Sequence, residues 1–241
     1  GAGFDLFGFY MANGTVVVLF AFDQVLHPGP WSTEESEMWG GGWPGTFQDI
    51  NNGINYLREL SIKYKLDLRR IVVTGHSAGG HLALWSAARP KIESDSDIYS
   101  KNPLEISGVV SLAGITDLKT YLVRIAGSCG SSVDNLVGGL PEDQAERYSQ
   151  ASPFELLPLG VKQILVNGKQ DNIVPISHIK PYQIKASASG DRIELREINN
   201  AGHFEVISPG SVAWPSIVDA IDKLSKNKIK KQKVRFKEVK N

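Results

Sequence analysis

The stretch "RRIVVTGHSAGGHLALWSAAR", residues 69–89, decides how this chain reads. A β-branched apolar run ends at Gly75, and Ser77 stands between Gly75 and Gly79 before a small-residue helical pattern begins. A nucleophile at a strand-to-helix junction takes a strained backbone. Side chains two residues before and after it would strike the neighbouring strand and helix, which calls for glycine at both places. In return the hydroxyl projects from the turn, and the amide of Ala78 faces the same space at a helix N-terminus. G-x-S-x-G alone also marks glycine-rich structural turns. The legible strand before it and helix after it favour the nucleophile.

Working outward, short β-branched runs alternate with longer helical patterns. Strands are expected at 15–22, 70–75, 106–114, 162–168 and 191–198. Between the first two, "TFQDINNGINYLREL" (46–60) places Ile50, Ile54, Leu57 and Leu60 on one helical face, with Thr46 and Asp49 at capping-box spacing. Helical patterns also follow Ser77 and close the domain at 213–226. This alternation predicts an α/β fold, a mostly parallel sheet with helices on both faces. Right-handed crossovers then bring all strand C-termini to one edge, where ligands bind. Residues 118–153 break the rhythm with weak helical patterns and much Gly and Ser, and are expected to form a small cap. Residues 1–225 read as one domain.

A serine hydroxyl is a weak nucleophile near neutral pH and needs a base oriented by a third group. Asp171, in "ILVNGKQDNIVP", follows the fourth of these strands, and His203, in "INNAGHFEVI", follows the fifth. Both loops belong to the same sheet edge as Ser77, and the chain order Ser, acid, His is that expected for such a fold. A turn aspartate and an exposed loop histidine are the plainer readings of Asp171 and His203, and Asp117 in "AGITDL" is a rival acid. His76 points away from Ser77 and reads as packing, His81 as a satisfied helix residue, and His178 as part of a surface helix start. No grouping has metal-ligand spacing, and no nucleotide-binding glycine pattern follows a strand, so nucleotide chemistry is not indicated.

Composition narrows the classes. The 241 residues carry equal numbers of acidic and basic side chains, so no global field argues for nucleic acid. Only the tail "KNKIKKQKVRFKEVKN" (226–241) is strongly basic, with seven Lys and one Arg against one Glu, and reads as a solvated end or frayed helix. The single cysteine, Cys129, excludes an internal disulfide, fits a reducing compartment and lacks a reactive setting. "GTVVVLFAF" (14–22) is strand length, far short of the roughly 20 apolar residues of a spanning helix, so a cytoplasmic protein without a membrane span is expected.

"GGGWPGTFQDI" (40–50), "LDLRRIVVTGHSAGGHLALWSAARP" (66–90), "SLAGITDL" (111–118), "ASPFELLPLG" (151–160), "GKQDNIVP" (168–175) and "NNAGHFEVISP" (199–209) together resemble the α/β-hydrolase superfamily. More narrowly, they are similar to the esterase/lipase branch that includes kynurenine formamidase-like and feruloyl-esterase-like hydrolases. The resemblance covers roughly residues 14–224. It implies an α/β-hydrolase fold with Ser77 as nucleophile, Asp171 as acid, His203 as base and the Ala78 amide in the oxyanion hole. It also implies a cofactor-independent enzyme acting on a small ester or, as the runner-up, an arylformamide.

Two features depart from that pattern. An H-G-G-x-W-like segment, whose amides complete the oxyanion hole, is not found. The opening "GAGFDLFGFYMANGTVVV" is similar to the helix and strand that follow such a segment, so N-terminal strands are expected to be missing and the sheet to show a gap. Losing one oxyanion donor costs about 10²–10³ in rate. "HPGPW" (27–31) resembles the absent motif but stands at the wrong point of the alternation. The loop 27–41 is also long, and Trp31, Trp39 and Trp43 either line an apolar pocket or pack on the following helix; Trp43 and Phe204 are taken as candidate substrate contacts. A non-catalytic binding protein on a hydrolase scaffold is the competing reading, and three retained triad residues argue against it.

Overall fold

The computed structural model describes residues 6–12, 15–20, 42–124 and 131–225. In chain order the strands are β1 (Leu6–Ala12), β2 (Thr15–Phe20), β3 (Ile71–His76), β4 (Gly108–Leu112), β5 (Lys162–Gly168) and β6 (Arg192–Ile198). The helices are α1 (Gly45–Asn55), α2 (Leu57–Tyr64), α3 (Ala78–Ala88), α4 (Leu118–Arg124), α5 (Ser131–Val137), α6 (Ala145–Ala151), α7 (Ile176–Ala188) and α8 (Trp214–Ser225).

The strands lie side by side in sequence order, with β1 antiparallel to β2 and the rest parallel. Each parallel step moves the same way across the sheet, so right-handed crossovers carry the intervening helices to one face. The core follows from this. Ile71, Val73, Val109 and Leu165 pack with Phe47, Leu82, Leu84, Trp85 and Ile179 on the crossover side. Val72, Val110, Ile164 and Val166 point the opposite way, onto Ile217, Ala220 and Leu224 of α8. Strand side chains alternate faces with period two, and in β3, β4 and β5 both faces are buried, which explains why these strands read as continuous apolar runs.

Several expectations need correction. Leu6–Ala12 is a strand, not a helix, paired antiparallel to β2 from Leu6↔Phe20 to Ala12↔Thr15. The sheet shows no gap beside the nucleophile strand, because β2 pairs directly with β3, from Val16↔Ile71 to Phe20↔Gly75. The capping box does not form at α1: the N-cap residue is Pro44, and Thr46 Oγ1 instead accepts the Gly42 amide at 3.0 Å. The single helix expected over 46–60 divides at Tyr56 into α1 and α2.

Between β4 and β5 the chain forms α4, α5 and α6. Their far end is tied to α3: His81 Nε2–H donates to Ala151 O at 2.9 Å, and Trp85 Nε1–H donates to Gln150 O at 2.9 Å. Cys129, Trp31, Trp39, "HPGPW" and the basic tail lie outside the described residues. Among the described residues, no helix is long and apolar enough to cross a membrane.

Candidate active site

β3 ends at His76, and α3 begins at Ala78, leaving Ser77 alone at the junction with φ 55° and ψ −117°. Serine is a favoured helix N-cap, yet its hydroxyl makes no cap bond here. The Ser77 backbone is held instead, its amide donating to Leu112 O at 2.9 Å and its carbonyl accepting from His81 N at 3.1 Å. The turn closes only because Gly75 has no side chain: a Cβ there would lie 2.2 Å from Gly79 O. The Ala78 amide occupies the first helical position, where a backbone donor has no intrahelical acceptor.

Two strands away, β5 ends at Gly168 and leads into the Asp171 loop. Asp171 Oδ1 accepts the amides of Ile173 and Val174, both at 2.8 Å. Its Oδ2 accepts the Nδ1–H of His203 at 2.7 Å. The carboxylate is wholly buried and the His203 side chain nearly so, at 0% and 5% exposure. These bonds leave His203 Nε2 as the imidazole's acceptor nitrogen. The two loops meet because a Cβ on Gly168 would fall 2.3 Å from Ala201 O, and Gln170 N–H donates to that same carbonyl at 2.9 Å.

The His203 loop reaches the end of β3 through His76. His76 Nε2–H donates to the His203 carbonyl at 2.9 Å, and the two rings lie 4.4 Å apart. Sequence reasoning assigned His76 to packing without identifying its partner, because the contact joins loops more than a hundred residues apart. Burial and the neighbouring His203 push its pKa down to about 4, so it is neutral above mildly acidic pH. Phe204, half exposed, sets its ring 5.2 Å from that of His203 and 5.9 Å from that of His76.

The remaining candidates are held by other contacts. Trp43 meets Phe47 edge-on at 5.5 Å, donates its Nε1–H to Asp97 at 3.2 Å and carries the Arg147 guanidinium over its ring at 5.4 Å. Asp117 turns to the segment before β5, its Oδ1 accepting from Lys119 N at 3.1 Å and Ser152 Oγ at 3.5 Å. His178 is buried rather than at a surface helix start. Its Nε2 accepts the Thr116 amide at 3.2 Å, and its ring lies 5.4 Å from that of Tyr121. His81 is a satisfied helix residue, as expected, and burial lowers its pKa to about 4. Among the described residues, no cluster of three His, Cys, Asp or Glu side chains is placed to hold a metal ion.

The BD-FAE family model matches residues 38–183, more than half of the chain. The α/β hydrolase domain-containing protein WAV2 of Arabidopsis thaliana is 25% identical over 195 residues, covering 78% of this chain and 58% of its own length. Esterase LipC of Mycobacterium tuberculosis (strain ATCC 25618 / H37Rv) is 23% identical over 178 residues, covering 72% of this chain and 44% of its own. The chain therefore spans about half the length of these curated relatives. Among solved structures, a truncated carbohydrate esterase from gut microbiota aligns with a TM-score of 0.64 at 22% identity, covering 77% of this chain and 70% of that one. The sheet order, the strained serine between β3 and α3 and the family match converge: the chain belongs to the BD-FAE family, in the esterase/lipase branch of the α/β-hydrolases.

Proposed function

We propose that this chain is a serine hydrolase that cleaves a small carboxylic ester through an acyl-enzyme. The observation that carries the reading is the buried 2.7 Å bond between Asp171 and His203, formed at the sheet edge where Ser77 stands in a strained turn. In this reading Ser77 Oγ attacks the ester carbonyl and His203 Nε2 takes the hydroxyl proton. Asp171 accepts the Nδ1–H, which fixes the tautomer that leaves Nε2 free and steadies the imidazolium that forms. The Ala78 amide, at the N-terminus of α3, donates to the oxyanion. His203 returns the proton to the departing alcohol, then draws a proton from water as that water attacks the acyl-enzyme. Phe204, exposed beside His203, supplies an apolar face for the substrate.

Relatives named as esterases favour an ester over an arylformamide. Treating the purified chain with a fluorophosphonate probe tests the mechanism. Labelling at Ser77 that vanishes in Ser77→Ala is expected, together with hydrolysis of p-nitrophenyl acetate. A folded chain that neither takes up the probe nor turns over the ester would leave only a binding scaffold. Faster turnover of N-formyl arylamines than of aryl esters would move the substrate class to amides.

A further inference from the structure

We infer that His76 is a positioning residue for His203, bracing the catalytic base from the strand that carries the nucleophile; this rests on the triad reading above. His203 belongs to neither a helix nor a strand, so its position depends on point contacts. The flanks of its loop are tied by Gly202 N to Glu205 Oε2 at 2.8 Å and by Gln170 N to Ala201 O at 2.9 Å. Residue 203 itself is held at both ends. Its imidazole is fixed by Asp171 after β5, and its carbonyl by the Nε2–H of His76 at the end of β3. A carbonyl only accepts, so the proton of neutral His76 sits on Nε2 and Nδ1 is bare.

His76 is joined to Ser77 by one peptide bond. The brace therefore ties the backbone of the base to that of the nucleophile through a handful of covalent bonds and one hydrogen bond. The His76 ring, 4.4 Å from the His203 ring and tilted 51° to it, adds a packed wall that limits rotation of the imidazole. A neutral group is required there, because a second positive charge at that distance would oppose the imidazolium formed in each half-reaction. The half-buried position beside His203 keeps His76 neutral at the pH where a serine hydrolase works.

The test compares His76→Phe, which keeps a ring but has no donor, with His76→Gln, whose terminal amide reaches about as far as Nε2. Melting temperature, kcat and KM for p-nitrophenyl acetate and the rate of fluorophosphonate labelling are measured alongside wild type and Ser77→Ala. H76F is expected to lose roughly 10- to 100-fold in both kcat and labelling rate, the range that a small misplacement costs, with KM nearly unchanged. H76Q is expected to recover most of that loss. Should H76F not fold, His76→Asn, whose amide is too short for the carbonyl, takes its place against H76Q. Full activity in the donorless variant overturns the inference, as does a folded H76Q no faster than it. An unlabelled wild type would instead remove the serine-hydrolase reading itself.

Discussion

Ser77 holds a backbone conformation, φ 55° and ψ −117°, that a residue with a Cβ adopts only at a cost of about 1–3 kcal/mol. Ser77→Ala keeps that Cβ and so keeps the strain. Ser77→Gly removes it, against about 0.5–1 kcal/mol of extra chain entropy in the unfolded state. Both variants should be inactive, with S77G more stable than S77A by about 1 kcal/mol in urea titrations; equal midpoints would mean the turn is not strained. Asp171 makes the complementary case. Its Oδ1 already serves the amides of Ile173 and Val174, so Asp171→Asn must point its NH2 at His203. The imidazole would then have to accept at Nδ1 and carry its proton on Nε2, the wrong tautomer for a base. We expect kcat to fall by roughly 10⁴-fold while circular dichroism stays native; retention of more than a tenth of wild-type activity would count against Asp171 as the orienting acid.

At the scale of elements, the site depends on loops from β5 and β6 coming within contact of each other. Gly168 is the hinge of that approach, since a Cβ there would sit 2.3 Å from Ala201 O and 2.4 Å from Gly202 O. Gly168→Ala should push the Asp171 and His203 loops apart, lowering stability by about 1–3 kcal/mol and slowing probe labelling far more than the stability loss explains. Labelling at the wild-type rate in a folded G168A would show that the loops have slack. The same elements separate what was legible in the sequence from what was not. The central strands β3, β4 and β5 were readable because each is a short apolar run, buried on both faces and bounded by turn residues, and the Asp171 and His203 loops followed from the strand order. The errors occurred where the partner is not the one the local pattern names. Thr46 has capping-box spacing but bonds the Gly42 amide, because the chain enters α1 through Gly42–Pro44. His178 opens a helix locally, yet Thr116, some sixty residues away, buries it. "LFGFYMA" is apolar without a clear period, so its pairing partner makes it a strand; the Asn13-Gly14 dipeptide before β2 is the local signal for a hairpin.

For the whole molecule, stepping every parallel strand in one direction leaves α8 to cover the second face of the sheet, and polar groups tie the layers together on both faces. Two of these are histidines kept neutral. His81 ties α3 to the segment ending α6, and His76 ties β3 to the His203 loop. Burial lowers both pKa values from 6.5 to about 4. Between those limits the unfolded chain binds protons at these sites that the folded chain refuses. Stability is therefore fully present above pH 6.5 and is lost as pH falls toward 4. Each histidine contributes a loss of about 3 kcal/mol across that window, a large share of the roughly 5–15 kcal/mol that holds a domain folded. Urea titrations at a series of pH values should show the unfolding free energy falling steeply on the acid side. His81→Gln keeps a donor for Ala151 O but cannot take up a proton, so its curve should be flatter by close to one proton's worth of slope. An H81Q curve parallel to wild type would mean that His81 is protonated in the folded protein.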